Sequence, residues 1–247
     1  MSSDSLETLM NQAEELMQDR EYERAIAIFQ QALSIKPNSV EVLRQYGQAL
    51  VGKKQFEQAF VLFKKALEID PDHVGALRNY ASALGKAGRD NDALDIFKKA
   101  LVIEPDNVKI LSSYSVLLKK LNKINEIVYI FEKLITLEPN KLRTLNSYAN
   151  ALVGTGQNEK AFQFFEKSLQ IEPNNQITLN SYANALVGTG QNEKAFQFFE
   201  KSLQIEPNNP RTLNSYANAL VGTGQNERAL PLFEKSLQIE PNNPITL

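Results

Sequence analysis

The sequence predicts an all-α solenoid of seven helix-turn-helix units, and three registers carry that prediction. Prolines recur at Pro37, Pro71, Pro105, Pro139, Pro173, Pro207 and Pro241, every step being 34 residues. A phenylalanine stands eight residues before each one, at Phe29, Phe63, Phe97, Phe131, Phe165, Phe199 and Phe233. Four residues ahead of the phenylalanine comes Ala25, Ala59, Ala93, Ala161, Ala195 or Ala229, with Ile127 as the one bulky exception. A fixed period of this length marks stacked units, none of which can bury its own apolar faces, so that neighbours share a continuous core.

The chain divides accordingly into a short tail (1–5), seven units (6–39, 40–73, 74–107, 108–141, 142–175, 176–209 and 210–243) and the beginning of an eighth (244–247). In the unit 142–175, Leu145, Tyr148, Ala149 and Leu152 follow the i, i+3, i+4, i+7 spacing of one helical face. Gly154 and Gly156 then stop the helix, because glycine enters the left-handed region without steric cost. Asn158 is expected to cap a second helix whose buried stripe is Ala161, Phe165, Ser168 and Leu169. Pro173 follows that helix, since proline cannot continue one. In the seventh unit, Asn209 followed by Pro210 has the form of an N-cap and a first-turn proline. Alanine and Gly47 are expected where antiparallel helices approach most closely, with the phenylalanine filling the gap to the next unit. Two departures stand out. Ile127, Leu134 and Asn122 replace small or turn residues in 108–141 and should push its helices apart, and Pro231 inside a second helix should produce a mild kink.

Composition narrows the function. Lys and Arg number 27 against 29 Asp and Glu, which gives none of the basic excess that nucleic acid or a membrane surface demands. With no cysteine and a single histidine, His73 in an inter-unit turn, neither a thiolate site, a histidine triad nor a multi-histidine metal centre can be assembled. The Gly154-Thr155-Gly156 segment lacks the strand and the Gly-Lys-Ser/Thr that a phosphate loop needs, and Arg89-Asp90-Asn91-Asp92 lacks the glycine and distal glutamate of a calcium loop. No catalytic residue, cofactor or metal is therefore expected. The tyrosines Tyr46, Tyr80, Tyr114, Tyr148, Tyr182 and Tyr216 share the core-facing stripe and are assigned to packing. No apolar run is long enough to span a bilayer, and the N-terminus lacks the basic and apolar regions of a signal peptide, so the expectation is a cytoplasmic protein.

These registers resemble the tetratricopeptide repeat family, whose pattern runs W-x2-L-G-x2-Y, then A-x3-F, then P. In 142–175, Leu145, Tyr148, Ala149 and Leu152 take the first four places, and Ala161, Phe165 and Pro173 match outright. The resemblance runs from Leu6 to Pro241. It implies a right-handed superhelix whose concave groove is lined by the first helices, with the second, fifth, ninth, twelfth and thirteenth places of each unit facing that groove. It implies protein or peptide binding and no catalysis.

On those places the units differ in chemistry. The last three carry asparagine pairs, Asn146 with Asn150, Asn180 with Asn184, and Asn214 with Asn218, each pair one turn apart. Asparagine is a mediocre helix former, so propensity does not explain them, whereas an amide both donates to and accepts from an extended peptide backbone. The alternative is that they solubilise the face and were copied with the unit. The second to fifth units place Arg44, Arg78, Lys86, Lys109, Lys120 and Arg143 on the groove, and net charge moves from −3 in 6–39 to +3 in 108–141. The expected ligand is an extended or acidic peptide. Two other functions remain open: the non-catalytic substrate-recruiting part of a larger enzyme such as a glycosyltransferase, or a self-assembling module. The units 142–175 and 176–209 differ only at Leu142/Gln176 and Arg143/Ile177, which implies recent duplication or design and favours a repetitive ligand. At the C-terminus, Phe233, Leu237 and Ile239 prepare a face for a neighbour, and self-association through this last repeat is expected.

Overall fold

The computed structural model describes residues 3–241. The regular structure among them is helical throughout. In chain order the helices are α1 (Ser3–Gln18), α2 (Tyr22–Ile35), α3 (Val40–Gly52), α4 (Phe56–Ile69), α5 (Val74–Lys86), α6 (Asp90–Ile103), α7 (Val108–Lys120), α8 (Ile124–Leu137), α9 (Leu142–Gly154), α10 (Asn158–Ile171), α11 (Gln176–Gly188), α12 (Asn192–Ile205), α13 (Pro210–Gly222) and α14 (Asn226–Ile239). Two helices fall in each 34-residue period. The chain forms two compact units, residues 1–122 with α1 to α7 and residues 123–247 with α8 to α14. The segment 244–247 lies outside the described residues, and so does any role for it in self-association.

Each hairpin turn rests on one left-handed residue. It is Gly88, Gly156, Gly190 or Gly224 in four turns, at φ between 76° and 83°. In the other three it is Arg20, Lys54 or Asn122, at φ 60°, 61° and 53°, where a side chain makes that conformation costly. Around Gly156 the freed carbonyls of α9 are satisfied locally: Gly156 N–H donates to Val153 O (3.0 Å) and Gln157 N–H to Leu152 O (2.9 Å).

Capping differs from expectation in two places. Asn158 is the first residue of α10 and not its cap; Gln157 precedes it and makes no side-chain capping bond. The tight turn leaves no residue in the extended conformation a capping side chain needs. The first helices are the capped ones. Asn107, Asn175 and Asn209 accept from N–H groups of α7, α11 and α13, and Pro210 takes the first turn as expected. His73 belongs to this set: its Nδ1 accepts from Ala76 N–H at 3.1 Å, making it the N-cap of α5 and not a free loop residue. Helix α14 runs through Pro231 without a break.

The core is built from the registers visible in the sequence. Phe29, Phe63, Phe97, Phe165 and Phe199 are fully buried, as are Ala25, Ala59, Ala93, Ala161 and Ala195. A Cβ on Gly47 would lie 2.6 Å from Phe63 Cε1, so the ring occupies the space a larger residue would need. In the second unit Phe165 stacks on Tyr182 and Phe199 on Tyr216, with ring centroids 5.3 and 5.4 Å apart. In each unit the first helices also pack on one another, α3 on α5 and α5 on α7, then α9 on α11 and α11 on α13. These two layers of first helices carry the groove-register residues.

Candidate functional site

In the first unit the layer α3–α5–α7 encloses a cleft of about 580 Å³. Arg44, Arg78, Lys86 and Lys120 line it, and no carboxylate does. Four of the sequence-derived basic residues are thus brought together. Lys109 lies instead in an adjoining cleft of about 330 Å³, which shares Arg44 and Arg78 and also holds Glu41, Glu104 and His73. Arg143 is in the second unit, exposed at the start of α9.

The four cations differ in what they are already bound to. Arg44 forms a side-on pair with Glu41, its Nε donating to Oε2 at 2.9 Å, and this holds the Glu41 carboxyl below its usual range. Lys120 Nζ donates to Asp90 Oδ1 (2.6 Å) and to the Gly85 carbonyl (2.8 Å) on the cleft wall. Arg78 has no carboxylate partner among the described residues; its Nη2 donates only to Asn79 Oδ1, at 3.0 Å. Burial, and then the charge of Arg44, depress its affinity for the proton. Lys86 is exposed and has no side-chain partner there. The cleft therefore holds one half-buried, desolvated guanidinium and one free ammonium facing the same space.

Its floor was not foreseen. Val116, 61% exposed, gives the cleft an apolar side, behind which Leu117, Ala81 and Phe97 are buried. Val116, Gln48 and Ser82 stand at the same ninth place as Asn150, so the repeat register locates them although their uncharged side chains do not.

In the second unit the asparagine pairs separate into two kinds. Asn146, Asn180 and Asn214 are more than nine-tenths buried. Asn146 Nδ2 donates at 2.7 Å to Thr178 Oγ1 of the following repeat, and Thr178 Oγ1 also lies 2.9 Å from Asn175 Oδ1 and 3.1 Å from Ser168 Oγ. The fifth-place asparagine thus ties α9 to α11. Asn150, Asn184 and Asn218 are the exposed partners. Asn150 Nδ2 donates to Asn146 O at 2.9 Å, and Asn184 Nδ2 to Asn180 O at 2.8 Å. Of each predicted pair, then, only the second member is exposed.

A polar lock between the first helices and the second helices beside them also escaped the sequence reading. Tyr148, Tyr182 and Tyr216 donate their phenol protons to Glu132, Glu166 and Glu200 (2.9, 2.7 and 2.7 Å), and Lys194 and Arg228 donate to Tyr182 and Tyr216 (3.0 and 2.9 Å). Burial, reinforced by the carboxylate, raises the Tyr182 and Tyr216 phenols well above their ordinary range. Among the described residues no group of three or more His, Asp or Glu side chains is placed to hold a metal ion, and no helix is long and apolar enough to cross a membrane.

Tetratricopeptide repeat family models match residues 76–204, and, with a second such model, 16–59 and 186–245. The chain belongs to the tetratricopeptide repeat family. A comparison with curated proteins finds no match. Among solved structures, a tetratricopeptide repeat protein from Parabacteroides merdae is similar at 17% identity, covering 99% of this chain and 96% of that one, with a TM-score of 0.72. The C-terminal part of a repeat protein from Cytophaga hutchinsonii aligns at 18% identity over 96% and 97% of the two chains, with a TM-score of 0.73. YrrB, described as a tetratricopeptide repeat protein with an unusual peptide-binding site, aligns at 17% identity over 74% and 95%, with a TM-score of 0.57. At these identities the likeness is one of fold. The family is in general a non-catalytic scaffold for protein interactions.

Proposed function

We propose that this tetratricopeptide repeat protein is an interaction scaffold whose first unit binds an acidic, extended peptide in the cleft between α3, α5 and α7. The observation that carries the reading is Arg78. A guanidinium half removed from water, beside a second arginine and without a carboxylate, is in a state that an incoming carboxylate relieves. Lys86 supplies a second cation on the same cleft, and the exposed Val116 offers contact to one apolar side chain. The ligand that fits is a segment with acidic residues flanking a large aliphatic or aromatic one. The peptide-binding site named for YrrB, a protein of the same fold, supports the assignment of this kind of surface. The exposed asparagines of the second unit form a separate contact surface for an extended chain.

Fluorescence anisotropy with a labelled peptide of alternating Glu and Leu tests the reading. Saturable binding is expected, weakening as salt rises because Lys86 lies in solvent. Binding should be lost when the glutamates become glutamines. Binding that survives that change would remove the acidic-peptide reading.

A further inference from the structure

We propose that Glu41 sets how many carboxylates the first-unit cleft responds to: it holds Arg44 in the free protein, so a second acidic group on the ligand gains only by taking that guanidinium from Glu41. This rests on the reading that the cleft takes an acidic peptide, and it names the residue that limits the response to ligand charge.

The four cations of the cleft form two pairs by register. Arg44 and Arg78 hold the fifth place of successive repeats, and Lys86 and Lys120 the thirteenth. In each pair one member is open and the other already carries a carboxylate of this chain, Glu41 on Arg44 and Asp90 on Lys120. The two engagements are not equivalent. Lys120 also donates to the Gly85 carbonyl, so α5 and α6 both fix it to the cleft wall. The Arg44 side chain donates to Glu41 alone among the described residues, from Nε to Oε2 at 2.9 Å and from Nη2 to Oε1.

Glu41 can release Arg44 without being stranded. Gln45 Nε2 donates to its Oε1 at 2.8 Å and to Glu14 Oε1 of α1 at 2.7 Å. The Glu41 side chain is also 48% exposed, so water replaces what Arg44 gives up. A ligand carboxylate that takes Arg44 therefore trades one charge-assisted hydrogen bond for another of the same kind, and the net gain is small.

Arg44 lies where the ligand is expected. Its stem crosses the first turn of α5, where a Cβ on Gly75 would stand 3.3 Å from Arg44 Cδ. Arg78 is three residues further along the same helix, and both arginines line both clefts. Two neighbouring guanidiniums suit two closely spaced carboxylates, since each offers a planar fork of donors. Glu41 fills one of these forks in advance, which leaves Arg78 to the ligand.

The test is a cycle of anisotropy titrations on the whole protein. Three labelled peptides share a glycine-serine context and differ only in the core, Glu-Leu-Gln, Gln-Leu-Glu or Glu-Leu-Glu. The proteins are wild type, Glu41→Gln and Glu41→Gln/Arg44→Met; glutamine keeps the size of the side chain and an acceptor for Gln45. In wild type the doubly acidic core should bind within about threefold of the better single one, because what it adds is contact with the exposed Lys86. In Glu41→Gln that ratio should rise to about tenfold or more, and the double variant should return it to the wild-type value. A ratio of that size already present in wild type, an unchanged ratio in Glu41→Gln, or an increase that survives the loss of Arg44 overturns the inference. Weaker binding of every core to Glu41→Gln overturns it too, and makes Glu41 a residue that orients Arg44, with the acidic-peptide reading intact. If no core binds any of the three proteins, that reading falls and this inference falls with it.

Discussion

Replacing Arg78 by methionine separates function from stability in a way few substitutions do. Arg78 is half-buried, has only the Asn79 side-chain oxygen as partner, and shares its cleft with Arg44. Methionine retains most of the aliphatic stem and removes the charge. A charge-assisted hydrogen bond to a ligand carboxylate contributes about 1.5–3 kcal/mol, so affinity for the acidic peptide should fall by about 10- to 150-fold. Folding should not suffer. The guanidinium gives up hydration without regaining an ion pair, and a well-packed apolar substitute at such a site is commonly neutral or stabilising. Urea unfolding of Arg78→Met should therefore show stability unchanged or raised by up to about 1 kcal/mol. Anisotropy titration and urea denaturation on the same preparation supply both readings. Unchanged peptide affinity, or a loss of stability above about 1 kcal/mol, would show that Arg78 is a structural residue and that the cleft is not organised around it.

Three other outcomes follow from the packing. Gly47→Ala forces a methyl group against Phe63, whose nearest ring atom lies 2.6 Å from the ideal position; overpacking should destabilise the first unit by about 1–3 kcal/mol, less in a Phe63→Leu background. Lys54→Gly removes a side chain from a left-handed residue at φ 61° and should stabilise by about 0.5–1 kcal/mol in urea titration, the steric gain being offset in part by glycine entropy. The raised phenols of Tyr182 and Tyr216 favour the protonated form in the folded state. Their contribution is therefore complete below the unfolded tyrosine value of about 10 and is lost as pH climbs beyond it. Urea midpoints should drop between about pH 10 and 11.5, and Tyr182→Phe/Tyr216→Phe should flatten that slope.

The fold was legible because its determinants repeat. Proline, phenylalanine and alanine recur in fixed register, and each does the same packing job in unit after unit, as the buried Phe29, Phe63, Phe97, Phe165 and Phe199 show. Where the local signal was weaker, the reading missed. Asn158 had the right residue type for a cap, yet the backbone turn placed Gln157 ahead of it in a non-capping conformation. His73 was discounted as a loop residue, although it occupies the N-cap register filled by Asn107, Asn175 and Asn209 in other repeats.

The site was legible in register and less so in role. Position along the first helix identified Arg44, Arg78, Lys86 and Lys120 as neighbours, and they line one cleft. Which of them is free depends on contacts from other helices. Asp90, thirty residues from Lys120, decides that Lys120 is engaged, and no sequence pattern signals it. Likewise Asn146 and Asn150 look equivalent on a helical wheel. Only the arrival of Thr178 from the next repeat makes one a structural tie and leaves the other exposed. The Tyr–Glu–Lys locks recur at constant spacing, Glu132, Tyr148 and Lys160 being matched by Glu166, Tyr182 and Lys194, so the period contained them.

The most direct test of the account is amide-resolved mapping of where an acidic peptide lands. Heteronuclear NMR of the labelled protein, titrated with the Glu-Leu peptide, should shift the resonances around Arg44, Arg78, Lys86 and Val116 together and saturate with a single affinity that Arg78→Met weakens by about 10- to 150-fold. Shifts confined to the exposed surfaces of the second helices, or spread evenly over lysines throughout the chain, would contradict it.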